Sequence, residues 1–363
     1  MPSAFAGLIL AGMGNGADRL ARDLGELRGR GLDSHVLRHE ALARLRRVVP
    51  VDAYCFSEVD PESQMMVAHA TDGIDRSLSP RLYVNEYAER DFVKHSSLIE
   101  GPVRARSLSD ATSGEVERSI RFRELLSPMG VGHELRAACV DDGQVWGFLH
   151  LYRARGRSGF TRQETAAVAR ATGLLAELMR SSVLEPGVTT VTASHAPAVV
   201  VLDGANRVAE STGEASVRLD ALRDPEESGH DTPDVLKALA IRTRTQPASP
   251  GSTRFARARV RSSDGQWLTL HASSLTAADG TADRVAVVIS PAHAPDLRPL
   301  LFSSRRLTPG ERQVTELVLQ GHSTKQIAAE LYLSPYTVQD RLKSIFEKFA
   351  VRSRRELVAC LHQ

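Results

Sequence analysis

From Ser34, placed to cap a helix, apolar residues recur at helical spacing: Leu37, Leu42, Leu45 and Val48 lay one stripe along His35 to Val49. This predicts an amphipathic helix. Strand-like runs follow over Ala53 to Val59 and Gln64 to Ala70 around a Pro-containing turn, with helical stretches at Tyr83 to Ala88 and Val116 to Leu126. His133 to Val140 and Val145 to Tyr152 flank Asp141-Asp142-Gly143-Gln144, a hairpin signal because glycine takes positive φ without steric cost. A long helix, Thr161 to Leu184, opens with the capping box Thr161-x-x-Glu164. Residues 1–33 are Gly-rich and read as irregular, and either Met1 or Met13 serves as the start.

Residues 185–197 carry two prolines, a glycine and a Thr/Ser run without periodicity, the composition of a linker. A second unit spans 198–290. There Ala198 to Leu202 and Asn206 to Glu210 form a hairpin about Asp203-Gly204, and short helices follow through Val217 and over Val235 to Thr243. After a flexible loop at Gln246 to Gly251, Arg254 to Arg261 pairs with Gln266 to Ser274 about Asp264-Gly265, and Arg284 to Ile289 adds a fifth strand. The stretch 291–304 holds three prolines between Pro291 and Pro299 and is expected as a stiff, extended connector.

The last stretch, 305–363, is densest in helix punctuation. Thr308-Pro309-Gly310-Glu311 puts Thr at an N-cap, Pro where a missing N–H does no harm, and Glu at the third position. Val314, Leu317 and Val318 form the inner face, and Gly321 sits where a left-handed terminator is wanted. Ser323-x-x-Gln326 opens a short second helix with Ile327, Ala328 and Leu331 inward. Ser334-Pro335 starts a third, with Val338, Leu342, Ile345 and Phe349 on one side. Two helices joined by the turn Tyr332-Leu333-Ser334 predict a helix-turn-helix.

These positions carry a resemblance. Leu307-Thr308-x-x-Glu311-Arg312, Gly321-x-Ser323, Lys325-x-Ile327-Ala328, Ser334-x-x-Thr337-Val338, Lys348 and Val351-x-x-Arg354-x-Glu356-Leu357-Val358 resemble the four-helix DNA-binding domain of LuxR-type regulators. The resemblance implies a reader of double-stranded DNA, with contacts from Thr324, Lys325, Tyr336, Thr337, Gln339, Asp340, Arg341, Lys343 and Lys348. Gln339 and Arg341 depart from the lysine and histidine common in the family, so base readout is expected to differ. Gln339 suits an adenine edge and Lys343 a guanine or a phosphate, whereas Asp340 repels phosphate unless a cytosine amino group donates to it. Upstream, residues 34–184 resemble a GAF domain in layout and 198–290 a PAS domain. The expected fold class is therefore α+β: two antiparallel-sheet domains followed by an all-α four-helix domain.

Composition bears this out. At about 150 residues per domain, 363 residues predict two or three domains, and 42% hydrophobic with 25% charged residues is ordinary globular usage. The net charge of +2 hides an asymmetry, since from Arg305 onward ten Lys or Arg face six Asp or Glu. A basic tail unit favours a polyanionic partner. No apolar run approaches the roughly 20 residues needed to span a bilayer, and Arg19 is the first positive charge, behind the apolar Ala4 to Met13. A cytoplasmic protein without membrane contact is expected. Cys55, Cys139 and Cys360 lie far apart, which predicts isolated buried thiols and neither disulfides nor zinc.

Catalytic and cofactor signals are weak. Gly12-x-Gly14-x-Gly16 falls one residue short of the dinucleotide fingerprint, and no phosphate-binding loop, H-E-x-x-H or G-x-S-x-G is present. His133 and Glu134 fall on opposite faces of a strand. No cofactor, metal or enzymatic activity is expected. Tyr54, Phe56, Trp146, Phe148 and Tyr152 lie on strands and either line an effector pocket or fill a core; Trp267 in the second unit is read in the same way. The leading reading is a homodimeric transcription regulator whose sheet domains receive a small-molecule effector or contact RNA polymerase. Dimerisation is expected through the Thr161 to Leu184 helix and an uncovered stripe of Leu357, Val358 and Leu361. The alternative is a non-enzymatic signalling adaptor that binds a protein or small molecule without sequence-specific DNA readout.

Overall fold

The computed structural model describes residues 16–183, 196–224, 232–246, 255–276 and 283–362. Gly12, Gly14, most of the 185–197 linker and most of the Gln246 to Gly251 loop lie outside these residues. The chain divides into two compact units, 1–291 and 292–363.

In the first unit a helix over 16–25 (α1) precedes α2 (Ser34–Arg46), capped by the Asp33 carboxylate on the N–H groups of His35 and Val36. The expectation of an irregular start thus fails from residue 16. Leu20, Leu24 and Leu27 recur at helical spacing and are all buried. Strands β1 (Ala53–Asp60), β2 (Met65–Asp72), β3 (Ala105–Ser107), β4 (Val131–Asp141) and β5 (Gln144–Ala154) form an antiparallel sheet in the order β2-β1-β5-β4-β3. Between them lie α3 (Ser79–Tyr87), α4 (His95–Glu100) and α5 (Leu108–Ala111). The helix expected over Val116 to Leu126 is instead a 3-10 turn, Val116–Arg118, and a π-helical turn, Phe122–Leu126. Ser119 breaks it, with extended backbone and a hydroxyl that accepts from the Phe122 N–H.

The sheet has two unlike faces. Tyr54 pairs with Leu151 and Phe56 with Leu149, so these four share the face under α2 and α6 (Arg162–Ser182). Gly147 makes that packing possible, because a Cβ there would lie 2.9 Å from the Phe56 ring. Ser57 pairs with Phe148 and Cys55 with His150, which puts Phe148 and Tyr152 on the opposite, polar face. The strand aromatics therefore do not line one pocket. Helix α6 opens with the expected capping box and buries Val168, Leu175 and Leu178. Its broad apolar face is met on one side by the sheet and on the other by α2, with Arg28 bonded to Glu177 at 2.7 Å. Of the residues expected at a second subunit, Val168, Leu175 and Leu178 are buried within one chain, Ala169 and Leu174 are half-buried and Ala166 is exposed.

A second antiparallel sheet contains β6 (Ala198–Leu202), β7 (Val208–Ser211), β8 (Phe255–Arg261), β9 (Trp267–Leu275) and β10 (Arg284–Pro291). Its order, β7-β6-β10-β9-β8, repeats that of the first. Helices α7 (Ala215–Ala221) and α8 (Asp234–Thr245) lie between its second and third strands, and Leu236 and Leu239 of α8 are buried with Val200, Leu270 and Val287. Trp267 is half-buried, with the Arg261 guanidinium 5.9 Å from its ring centre. The two sheets are pinned together by Asp60 and Arg259, both 1% exposed at the side chain and joined at 2.6 Å. Asp60 also accepts the Arg259 backbone N–H at 2.9 Å.

The second unit begins with α9 (Ala294–Ser304), where an extended connector was expected. Pro295 falls in the first turn, where no intrahelical N–H is needed, and the Asp296 carboxylate accepts the His293 N–H at 3.0 Å. Pro299 removes one helical bond, and burial of Leu300 and Phe302 offsets the loss. Then come α10 (Pro309–Leu319), α11 (Thr324–Glu330), α12 (Pro335–Phe349) and α13 (Arg354–His362). Leu357 and Leu361, expected as an uncovered stripe, are 0% and 1% exposed in a core shared with Phe302. Helix α9, hidden from the sequence by its prolines, packs on α13. Of the thiols, Cys139 is buried, Cys55 is half-buried and Cys360 is exposed, so the expectation of three buried cysteines holds for one.

Candidate nucleic-acid interface

Local chemistry sets where each helix of the second unit starts and stops. Thr308 with Glu311 and Ser323 with Gln326 form reciprocal capping boxes, and the Ser334 hydroxyl accepts the Thr337 N–H at 3.0 Å. The ends share one device. After α9, α10, α11 and α12 stand Arg306, Gly321, Tyr332 and Ala350, all with φ between 53° and 86°. The N–H of the following residue closes back across the last turn, as in His322 to Leu317 and Leu333 to Ala328. These stops fix the rotation of α12 about its axis.

With Val338, Leu342, Ile345 and Phe349 buried, α12 turns Tyr336, Gln339, Asp340 and Lys343 outward. Lys325 is exposed at the start of α11. The remaining expected contacts are partly engaged inside the unit. Thr324 accepts Arg354 Nη2 at 2.8 Å, and Thr337 shares a hydroxyl bond with Ser334 at 2.9 Å. Arg341 lies against the start of α10, its Nη1 3.4 Å from the Gly310 carbonyl, and a Cβ at Gly310 would come within 2.8 Å of that guanidinium. Lys348 donates to Glu311 at 2.6 Å and to the Arg306 carbonyl at 2.8 Å. The outward group is therefore Lys325, Tyr336, Gln339, Asp340 and Lys343. Arg354, unassigned from sequence, also donates to the His322 carbonyl at 2.8 Å and ties α13 to the entry of α11.

Burial alone would raise the Glu311 carboxyl. Hydrogen bonds from Lys348, Ser344 and Thr308 outweigh that and hold it down at about 2. It is an anionic peg between α10 and α12. Among the described residues no group of three or more His, Cys, Asp or Glu is placed to hold a metal, and no helix is long and apolar enough to cross a membrane.

A helix–turn–helix whose second helix keeps an outward polar face has the geometry of a DNA-binding domain. Residues 305–361 match the family model described as bacterial regulatory proteins, luxR family, and the chain belongs to that family. It is 40% identical over 52 residues to the spore germination protein GerE of Bacillus subtilis, covering 14% of this chain and 70% of GerE. It is 48% identical over 52 residues to an HTH-type transcriptional regulator of Mycobacterium bovis, but that stretch is only 6% of the relative's length. Across 46% of this chain and 96% of the other, the chain is similar to the solved GAF domain of a phosphoenolpyruvate-protein phosphotransferase from Coxiella burnetii, at 15% identity and a TM-score of 0.33.

Proposed function

We propose that the protein is a non-enzymatic, cytoplasmic transcription regulator that reads duplex DNA through α12, with the GAF-like first sheet domain and the PAS-like second one receiving the signal. A small-molecule effector is the favoured input, with RNA polymerase contact as the output. One observation carries the reading: Gln339, Asp340 and Lys343 are exposed on the helix whose other side is the domain core, and the usable cation Lys325 stands at the preceding helix. In this reading Gln339 and Lys343 meet base edges, Lys325 meets a phosphate, and Thr324, Tyr336, Thr337 and Arg341 flank the groove. Lys348 is reassigned to the fold. A homodimer on two half-sites remains part of the proposal because one short reading helix contacts few base pairs. Leu357 and Leu361 are buried within the second unit, so the exposed Ala166 and half-buried Leu174 of α6 are the better candidates for its interface.

Gel shifts with genomic promoter fragments test the reading. Gln339→Ala and Lys343→Ala are expected to cost about 1–3 kcal/mol each on the cognate site, and Lys325→Ala to lower the salt slope by about one on all sequences. Wild-type ratios of cognate to random binding in both α12 variants would reject it. Absence of any sequence-selective complex would favour a signalling adaptor.

A further inference from the structure

The polar face of the first sheet looks into a cavity of about 60 Å³. Register lines up its floor. Cys55 pairs with both Thr71 and His150, and His150 pairs with Arg136, so these four cross the sheet in one row. Tyr152 and Glu134 stand in the next. The second sheet domain supplies part of the wall, because Asp234 at the start of α8 accepts Arg76 at 2.9 Å and the Ser79 hydroxyl at 3.2 Å.

Every charge in this wall faces its opposite. Arg136 reaches Glu86 at 2.8 Å, Arg121 reaches Glu134 at 2.7 Å, and Arg76 reaches Asp234. Three histidines line the wall: burial lowers His69, and burial and then the Arg136 charge push His95 and His150 well below the ordinary range, so these two are neutral. Arg136 can only donate, and its Nη2 lies 2.7 Å from His95 Nε2 and 3.2 Å from His150 Nε2, with 2.8 Å between the two ring nitrogens. The buried Arg136 Nε has no hydrogen-bond partner among the described residues, with Glu134 3.9 Å away. Met66, Ile74 and Leu82 supply an apolar part of the lining.

We propose that this cavity is a binding site for a small uncharged molecule that offers a carbonyl or hydroxyl oxygen to Arg136 and an apolar edge to Met66, Ile74 and Leu82. A charged ligand would bring an unpaired ion into walls that already cancel, and burying such a charge is unfavourable. Since one water needs roughly 10–15 Å³ of such space, the occupant has on the order of five non-hydrogen atoms. The site rests on the sensing role given to the sheet domains. The wall draws on both of them, because it includes Asp234.

Saturation-transfer NMR on the full-length protein tests the assignment with four probes: 2-butanone and N-methylacetamide against propionate and propylammonium. Saturable binding of the two uncharged probes is expected, at least tenfold tighter than that of either ion. Cys55→Met fills the void and should abolish binding with an unchanged melting temperature. Arg136→Lys keeps the charge against Glu86 but loses the Nε–H and should weaken the uncharged probes about tenfold. Propionate binding as tightly as butanone, Cys55→Met binding like wild type, or no probe binding at all would overturn the proposal. Gel shifts on the same samples separate the two readings. A protein that shifts promoter DNA and binds no probe sinks the ligand assignment alone, while one that binds the uncharged probes and shifts no DNA supports the site and sinks the regulator.

Discussion

Replacing Lys348 by methionine asks whether its ammonium serves the DNA or the fold. The Glu311 residue, 5% exposed, collects the Lys348 ammonium and the Ser344 hydroxyl at 2.6 Å each and the Thr308 N–H at 2.7 Å. Without Lys348 a buried carboxylate is left with neutral donors only. Hydrogen bonds to charged groups contribute about 1.5–3 kcal/mol, and the partly exposed ammonium is screened, so the expected loss is about 1–2 kcal/mol. Native-state hydrogen exchange across α10 and α12 of the full chain at pH 7 measures it. Glu311→Gln should cost a similar amount, and the double variant should fall short of the sum by about 1 kcal/mol. Acid supplies a second arm. Because Glu311 is held at about 2 against 4.5 when free, its stabilisation is complete above pH 4.5 and is lost as pH falls toward 2. Helicity melts at pH 5 and pH 3 should therefore differ more for wild type than for Glu311→Gln. Unchanged exchange in Lys348→Met, together with a salt slope lowered by one, would place the ammonium on a phosphate and refute the argument.

Two other substitutions probe the framework. Asp60→Ala leaves the Arg259 guanidinium with the half-exposed Glu62 at 2.7 Å but without its buried partner, and should cost about 1.5–3 kcal/mol in calorimetric unfolding, a loss below 1 kcal/mol showing that water reaches the pair. Tyr332, 95% exposed at φ 53°, holds a left-handed position that glycine adopts freely. Tyr332→Gly should therefore stabilise α11 by roughly 1 kcal/mol in hydrogen exchange, and a destabilised α11 would show that the ring packs on something.

What was legible in the sequence is what neighbours decide. Thr308, Ser323 and Ser334 cap the helices they were expected to cap, Gly321 ends one, and the eight longer strands fall within a few residues of their expected limits. Helix α9 escaped because three prolines read as extension, and only burial of Phe302 and Leu300 shows why a helix forms in spite of Pro299. Lys348 lies off the apolar stripe of α12 and so read as outward. Its partner stands 37 residues earlier, on a different helix. The cavity was harder still: Glu86, His95, Arg136 and His150 come from α3, α4, β4 and β5. One signal was present. Glu134 and Arg136 share a face of a strand otherwise built for burial, and charges repeated at every second position there ask for partners.

The cancelling charges on the first sheet also constrain how this protein changes over generations. Losing Glu86 or Arg121 leaves Arg136 and Glu134 only their mutual 3.9 Å approach or one partner fewer, so each single step through the paired positions passes through an intermediate whose buried charges no longer cancel. Those positions drift only as couples. Cys55, Thr71, Ile74 and Leu82 line the same space and take no part in the ion pairs, so one-step exchanges there reshape the chamber without unbalancing it. Divergence among descendants of this chain should accumulate at those four sites first, over a charged frame that stays fixed.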